Sequence, residues 1–323
     1  MTATRLKKSL CAGMLLATAS TLSVADEGGV SFWLPGQMGS FAAVQADPGW
    51  SLATVYYHSA ASAGADKAFP RGGRINAGLD VAADLIFLAP SYAFTVPLLG
   101  AQAAIAVTGA FGRVKVDVAA TLTGPGGGAL SGSQSDTLTS VGDLYPMGSL
   151  KWNRGVHNYM AYTMLGVPVG SYEAGRLANL GTNHWSADVG GGYTYLNEKT
   201  GREFSAVLGF TYNFENDATQ YKNGIDGHLD WAASQFLSEQ THVGLVGYFY
   251  QQISGDSGAG ATLGDFKSRV SAIGPQVGYF LPVGGKKWYM NLKGYVEFDA
   301  QNRPEGWNAW LTLAVPLGSA PVK

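Results

Sequence analysis

The stretch Phe204-Ser205-Ala206-Val207-Leu208-Gly209-Phe210-Thr211-Tyr212-Asn213-Phe214 has two unlike faces. Phe204, Ala206, Leu208, Phe210, Tyr212 and Phe214 fall on one side. Glu203, Ser205, Gly209, Thr211, Asn213 and Glu215 fall on the other, with Val207 out of pattern. Side chains alternate across an extended chain with period two, so this is a strand with an apolar and a polar face. Its length identifies the surroundings. A globular strand averages about five or six residues, whereas a tilted strand crossing a bilayer needs about nine to eleven. The same pattern recurs twice downstream. Ile225, Leu229, Trp231, Ala233 and Leu237 alternate with Asp226, His228, Asp230, Ala232 and Ser234. Trp288, Met290, Leu292, Val296 and Phe298 oppose Tyr289, Asn291, Lys293, Tyr295, Glu297 and Asp299.

About twelve such segments follow one another, and the connections between them alternate in length. Val96–Gly100, Asn153–Gly155, Asn197–Gly201, Ser238–Gln240 and Pro282–Lys286 are short. Ser59–Arg74, Thr121–Asp136, Pro168–Asn183 and Ser254–Phe266 are long. This rhythm belongs to an up-and-down barrel with tight periplasmic turns and long outer loops. Hydrocarbon also demands closure, because an open sheet edge there leaves backbone groups unpaired. The fold class expected is therefore all-β: a transmembrane, antiparallel up-and-down β-barrel of about 12 strands. A soluble sandwich, the rival, has no need of strands this long.

The first residues stand apart. Arg5, Lys7 and Lys8 precede an apolar run from Leu10 to about Leu22. Ser23-Val24-Ala25 then makes a small-residue cleavage site, the layout of an export signal. The expected division is a signal peptide over 1–25, an N-terminal periplasmic segment over 26–49, the barrel over 50–317 and a tail over 318–323. The single cysteine, Cys11, leaves with the signal, so the mature chain has no disulfide. Cleavage also takes the basic count from 21 to 18 against 23 acidic residues, which argues against nucleic acid as a partner. Only 14% of residues are charged, while 45 are Gly and 8 are Trp. A soluble domain has nearer a quarter charged, so the balance favours a lipid-facing chain. Trp185 and Trp307 fall near outer strand ends, and Trp152 and Trp288 near periplasmic ones, as in aromatic girdles. Pro90, Pro146 and Pro275 fall inside strands, where the missing N–H must interrupt a ladder. The segment Leu79–Phe94 changes phase, and its register cannot be read from the pattern.

The polar faces supply the candidate pathway: Tyr145, Asp226, His228, Asp230, Tyr248, Tyr250, Tyr289, Lys293, Tyr295 and Glu297, with Asp143, Lys151 and Asp188 on the same side. Phenol rings offer stacking surface and hydrogen bonds together, which suits small, moderately apolar solutes. Two constellations invite a catalytic reading. Asp226, His228 and Asp230 share one strand face, and His184, Ser186 and Asp188 share another. A hydrated lumen needs polar residues without any chemistry, and neither a nucleophile elbow nor zinc-type spacing is present, so no catalytic residue, metal or cofactor is expected. The segment before the first strand carries Phe32, Trp33, Leu34 and Phe41 and is too apolar for a free tail. Two placements fit it: a plug in the barrel mouth, or an amphipathic segment on the membrane or barrel rim.

Several blocks are recognisable by order and spacing. They are Gly142-Asp143-Leu144, Trp152, Pro168 with Gly170-Ser171-Tyr172, and Asn179-Leu180-Gly181-Thr182-Asn183-His184-Trp185. Asn213-Phe214-Glu215-Asn216, Thr219, Tyr221, Gly224, Gln251, Gly255-Asp256-Ser257-Gly258 and Ala272-Ile273-Gly274-Pro275 follow. The chain resembles the outer-membrane family named for the meta-cleavage pathway of phenol degradation. The resemblance implies a channel or transporter in the bacterial outer membrane, passing small hydrophobic or aromatic compounds with lipid as its surroundings, and brings no catalytic motif. The competing expectations are an outer-membrane hydrolase with a lumen Asp–His site and a structural or adhesive barrel. Oligomeric state is not legible.

Overall fold

The computed structural model describes residues 31–68, 74–123, 127–262 and 267–318; the signal peptide expected over 1–25 lies outside them. Twelve strands are formed: β1 (Gly49–Ala68), β2 (Arg74–Ala93), β3 (Gln102–Thr123), β4 (Ala129–Arg154), β5 (His157–Gly166), β6 (Ser186–Asn197), β7 (Arg202–Asn213), β8 (Asp226–Phe236), β9 (Thr241–Gln252), β10 (Arg269–Val283), β11 (Lys286–Gln301) and β12 (Glu305–Pro316). Each pairs antiparallel with its sequence neighbours, and β1 closes on β12 from Ser51↔Pro316 to Ser62↔Glu305. No sheet edge remains, and no helix occurs among the described residues.

The outer surface shows what surrounds the barrel. Leu208 on β7 is 52% exposed and Val189 on β6 is 58% exposed, while their strand neighbours Val207 and Asp188 are wholly buried. Phe204, Phe210, Leu245, Phe249, Leu292 and Leu311 extend the same exposed apolar face. A closed barrel with apolar residues outside and polar residues inside is a membrane barrel, since in water this arrangement would be inverted. Short turns and both strand termini lie at one rim, so that rim is periplasmic.

Two expected loops are corrected. Ser59–Arg74 and Thr121–Asp136 are largely strand: β1 runs on to Ala68, and β3 and β4 pair from Thr121↔Ser131 to Thr123↔Ala129. Both stretches are rich in Ala, Gly and Ser, which resemble loop composition, but the hairpin ladder continues through them. β1 to β4 have 20, 20, 22 and 26 residues, so this third of the wall rises well above the rest. The prolines act as expected. The β2–β3 ladder skips from Leu88↔Gly109 to Ser91↔Ala106 around Pro90. The β10–β11 ladder skips from Ile273↔Val296 to Gln276↔Lys293 around Pro275. Continuous β4–β5 pairing starts at Met147, just past Pro146.

Candidate functional site: a lumen shared by a chain segment and an apolar cavity

The interior has two halves. Against β6 to β11 lies the N-terminal segment. Leu34-Pro35-Gly36-Gln37 forms a turn closed by Gln37 N–H donating to Leu34 O at 3.1 Å, with Gly36 at φ 86°. Polar side chains from several strands hold the segment. Asp230 accepts from the backbone N–H of Gly36 at 2.9 Å and of Met38 at 3.0 Å. Lys293 donates to the carbonyls of Gly36, of Gln37 at 3.4 Å and of Met38 at 3.0 Å. Tyr295 donates to Gly36 O at 3.3 Å. Lower down, Glu203 accepts from Ser40 Oγ at 2.9 Å and Phe41 N–H at 3.2 Å, and Lys151 donates to Val44 O at 3.0 Å. At the periplasmic rim Gln102 and Ala46 exchange two hydrogen bonds.

Trp33 is fully buried and stacks on His228, ring centroids 3.6 Å apart. His228 Nε2 meets Asp188 Oδ2 at 2.9 Å, and that oxygen also accepts from Thr211 at 2.6 Å. The histidine of one sequence constellation thus joins the aspartate of the other across β7. The absence of a side chain on Gly209 makes this possible, because a Cβ there would lie 2.2 Å from Tyr162 Oη and 2.6 Å from His228. Val207, the residue that broke the alternation, packs in the cluster with Phe32, Trp33, Met160 and Tyr162. Its apolarity matches the apolar segment inside the barrel.

The other half, against β1 to β4, holds a cavity of about 330 Å³. Leu79, Val81, Ala83, Leu85 and Phe87 of β2, with Val114 and Val116 of β3, form its apolar wall. Phe32, Leu34 and Gln37 bound it on the segment side, and Glu297, Arg303 and Asn308 lie at its polar corner. Its outer cover is the β5–β6 loop, with Tyr172, Leu177, Leu180 and Thr182. That loop hangs from one carboxylate. Asp143 is 1% exposed and accepts from Gly170 N–H, Thr182 N–H and Thr182 Oγ, each at 2.8 Å. A bulge aims it inward: Gly142 and Asp143 together oppose Ala110, between Gly109↔Leu144 and Phe111↔Val141. Replacing Asp143 with Ala removes three hydrogen bonds to a buried charge, a loss of about 3 kcal/mol or more. Trypsin should then cut at Arg176 at least tenfold faster than in the wild type, with the barrel itself still folded by gel mobility. Equal cutting rates would show that the loop is held by other contacts.

The sequence candidates divide between these halves. Tyr145 and Glu297 line the cavity. Asp230, Lys293 and Tyr295 grip the segment, and His228 stacks on it. Tyr248 donates to Glu297 at 2.6 Å, and Tyr289 meets His242 at 3.1 Å beside Phe41. Tyr250 lies under the Arg303 guanidinium at 5.0 Å. Asp226 accepts from Asn213 at 2.8 Å in the outer mouth. The apolar β2 wall was absent from the sequence candidates. Its signal was the phase change over Leu79–Phe94: Asp80 and Asp84 make the outward face polar at first, while from Leu85 on both faces are apolar, with Ile86 and Leu88 outward and Leu85 and Phe87 toward the cavity.

Fold and interior together define a membrane β-barrel whose lumen is shared by its own N-terminal segment and an apolar cavity. The chain belongs to the family described as "Putative MetA-pathway of phenol degradation", whose model matches residues 65–313. Among solved structures, an outer membrane channel from Pseudomonas putida F1 superposes with a TM-score of 0.68 at 15% identity, covering 88% of this chain and 99% of that one. A FadL homologue from Pseudomonas aeruginosa gives a TM-score of 0.47 at 10% identity, covering 92% and 98%. No curated protein matches the chain in sequence.

Proposed function

We propose that this protein is a passive outer-membrane channel for small hydrophobic or aromatic solutes. In this reading residues 1–25 direct export and are removed, and residues 31–46 act as an internal plug. The observation that carries it is the open cavity with an apolar wall, beside a half of the lumen where charged and polar side chains hold the N-terminal segment. An ion or sugar pore gains nothing from such a wall, whereas an apolar solute is transferred onto it from water favourably. The family's association with phenol degradation and the Pseudomonas putida channel's fold support the same reading. The outer membrane carries no ATP supply, so movement follows the solute gradient. The hydrolase reading is disfavoured because Trp33 covers the His228 ring and leaves no room beside it for substrate.

The test is conductance of refolded protein in a planar bilayer, with and without phenol or toluene. The expected result is small, infrequent openings whose frequency or amplitude changes when the aromatic is added. A folded barrel that is silent in both conditions, with no solute uptake by vesicles containing it, would overturn the proposal.

A further inference from the structure

The cavity has two unlike sides, and one polar group on it lacks a partner. Glu297 accepts from Tyr248 Oη and from Gly306 N–H at 2.9 Å, and Asn308 donates to Tyr248 Oη at 2.9 Å. Gln37 differs from these. Gln37 borders the cavity, and its side-chain amide nitrogen is buried without a hydrogen-bond acceptor among the described residues. The backbone around it is fixed, since Asp230 holds the N–H groups on either side and Lys293 holds the carbonyls of residues 36, 37 and 38. No such bond fixes the carboxamide nitrogen. A buried donor without an acceptor is rare and marks a place where a partner belongs.

We propose, building on the channel reading above, that the cavity is a one-to-one binding site for a solute with an apolar body and one hydrogen-bond-accepting oxygen. The body lies against Leu79, Val81, Leu85 and Val116. The oxygen accepts from the Gln37 amide once the carboxamide turns about its last torsion. A space of about 330 Å³ is at the small end for ligand sites, which suits a single ring or a short chain. Because Gln37 belongs to the segment inside the barrel, the bound solute touches that segment directly.

The experiment is calorimetric titration of the full mature chain in detergent with 4-ethylphenol and ethylbenzene, which share a body and differ by one hydroxyl. Each affinity is corrected for the probe's partition into empty micelles. The wild type is expected to bind one equivalent and to prefer 4-ethylphenol by about three- to tenfold, the worth of one hydrogen bond. Gln37→Leu should erase the preference and leave ethylbenzene within about twofold. Val116→Trp should weaken both probes alike. If Gln37→Leu does not fold, Gln37→Glu at pH 8 keeps the shape and removes the donor. No preference in the wild type, or a preference that survives at position 37, overturns the inference. Binding with this preference in a barrel that neither conducts nor takes up solute would leave the inference standing and remove the channel reading.

Discussion

Asp230→Ala is expected to convert a mostly closed barrel into one that opens frequently, with the wall left intact. Asp230 and Lys293 grip the two polar sides of one turn, the carboxylate taking N–H groups and the ammonium taking carbonyls. Both side chains are buried. Asp230→Ala removes two hydrogen bonds to a buried charged acceptor, at about 1.5–3 kcal/mol each, and leaves two N–H groups of the turn without that acceptor. Here the strands are held by their ladders, so the cost falls on docking of the turn. A loss of that size lowers the ratio of docked to undocked segment by at least about a hundredfold. Planar-bilayer recordings should show larger and longer openings for Asp230→Ala, and Lys293→Met should act in the same direction. Gly36→Val offers a route without charge. Its Cβ would lie 3.0 Å from both Tyr248 and Tyr295, and φ of 86° is strained for a β-branched residue. Wild-type conductance in all three variants would mean that the segment does not gate the lumen.

Much of the barrel was legible because each strand carries its own record. Period two, strand length and alternating turn length are local properties, and they located twelve strands and the lipid face. The excess of strand in β1 to β4 was not legible, since Ala, Gly and Ser serve equally in loops and in a solvated ladder. The internal segment was half legible. Its apolarity excluded a free tail, but its position depends on hydrogen bonds spanning well over a hundred residues, such as Gly36 to Asp230 and Ala43 to Thr194. No periodicity encodes these. The family blocks show the reverse case. As sequence they were scattered, yet in the structure all but Trp152 and the β10 block Ala272–Pro275 meet at the outer mouth. Asp143 ties Gly170 to Thr182, Asn183 donates to Asn216 at 2.7 Å, and Asn216 donates to Tyr172 at 3.0 Å. Asn213 reaches Gly224 O, and Asp256 accepts from Gly224 N–H and from Tyr221 at 2.5 Å. Those blocks build the cover of the lumen, which explains a recognisable pattern without a catalytic motif.

Leu208→Arg is expected to cost about 2–4 kcal/mol of barrel stability in lipid, the penalty for a charge at mid-bilayer depth on an outer face. Leu208 stands midway along β7, opposite Gly191 on β6 and Leu229 on β8, and faces outward. From this depth an arginine cannot reach either interface without bending the wall or thinning the bilayer. Tyr212 faces the same way four residues further out, where Lys222 Nζ already lies 4.5 Å from its ring centre. A lysine at that level places the site near the headgroups, so Tyr212→Arg should cost only about 0–1 kcal/mol from the charge. Urea titration of the two variants refolded into vesicles separates the environments, because in detergent micelles, which deform around a charge, the difference should shrink. Equal losses at the two positions in lipid would contradict the depth assigned to β7 and with it the orientation of the barrel. The comparison is sharper than either variant alone, since both place an arginine on the outward face of the same strand at different depths; Tyr212→Arg also removes the hydrogen bond from Lys222 to the Tyr212 hydroxyl, which Tyr212→Phe measures separately.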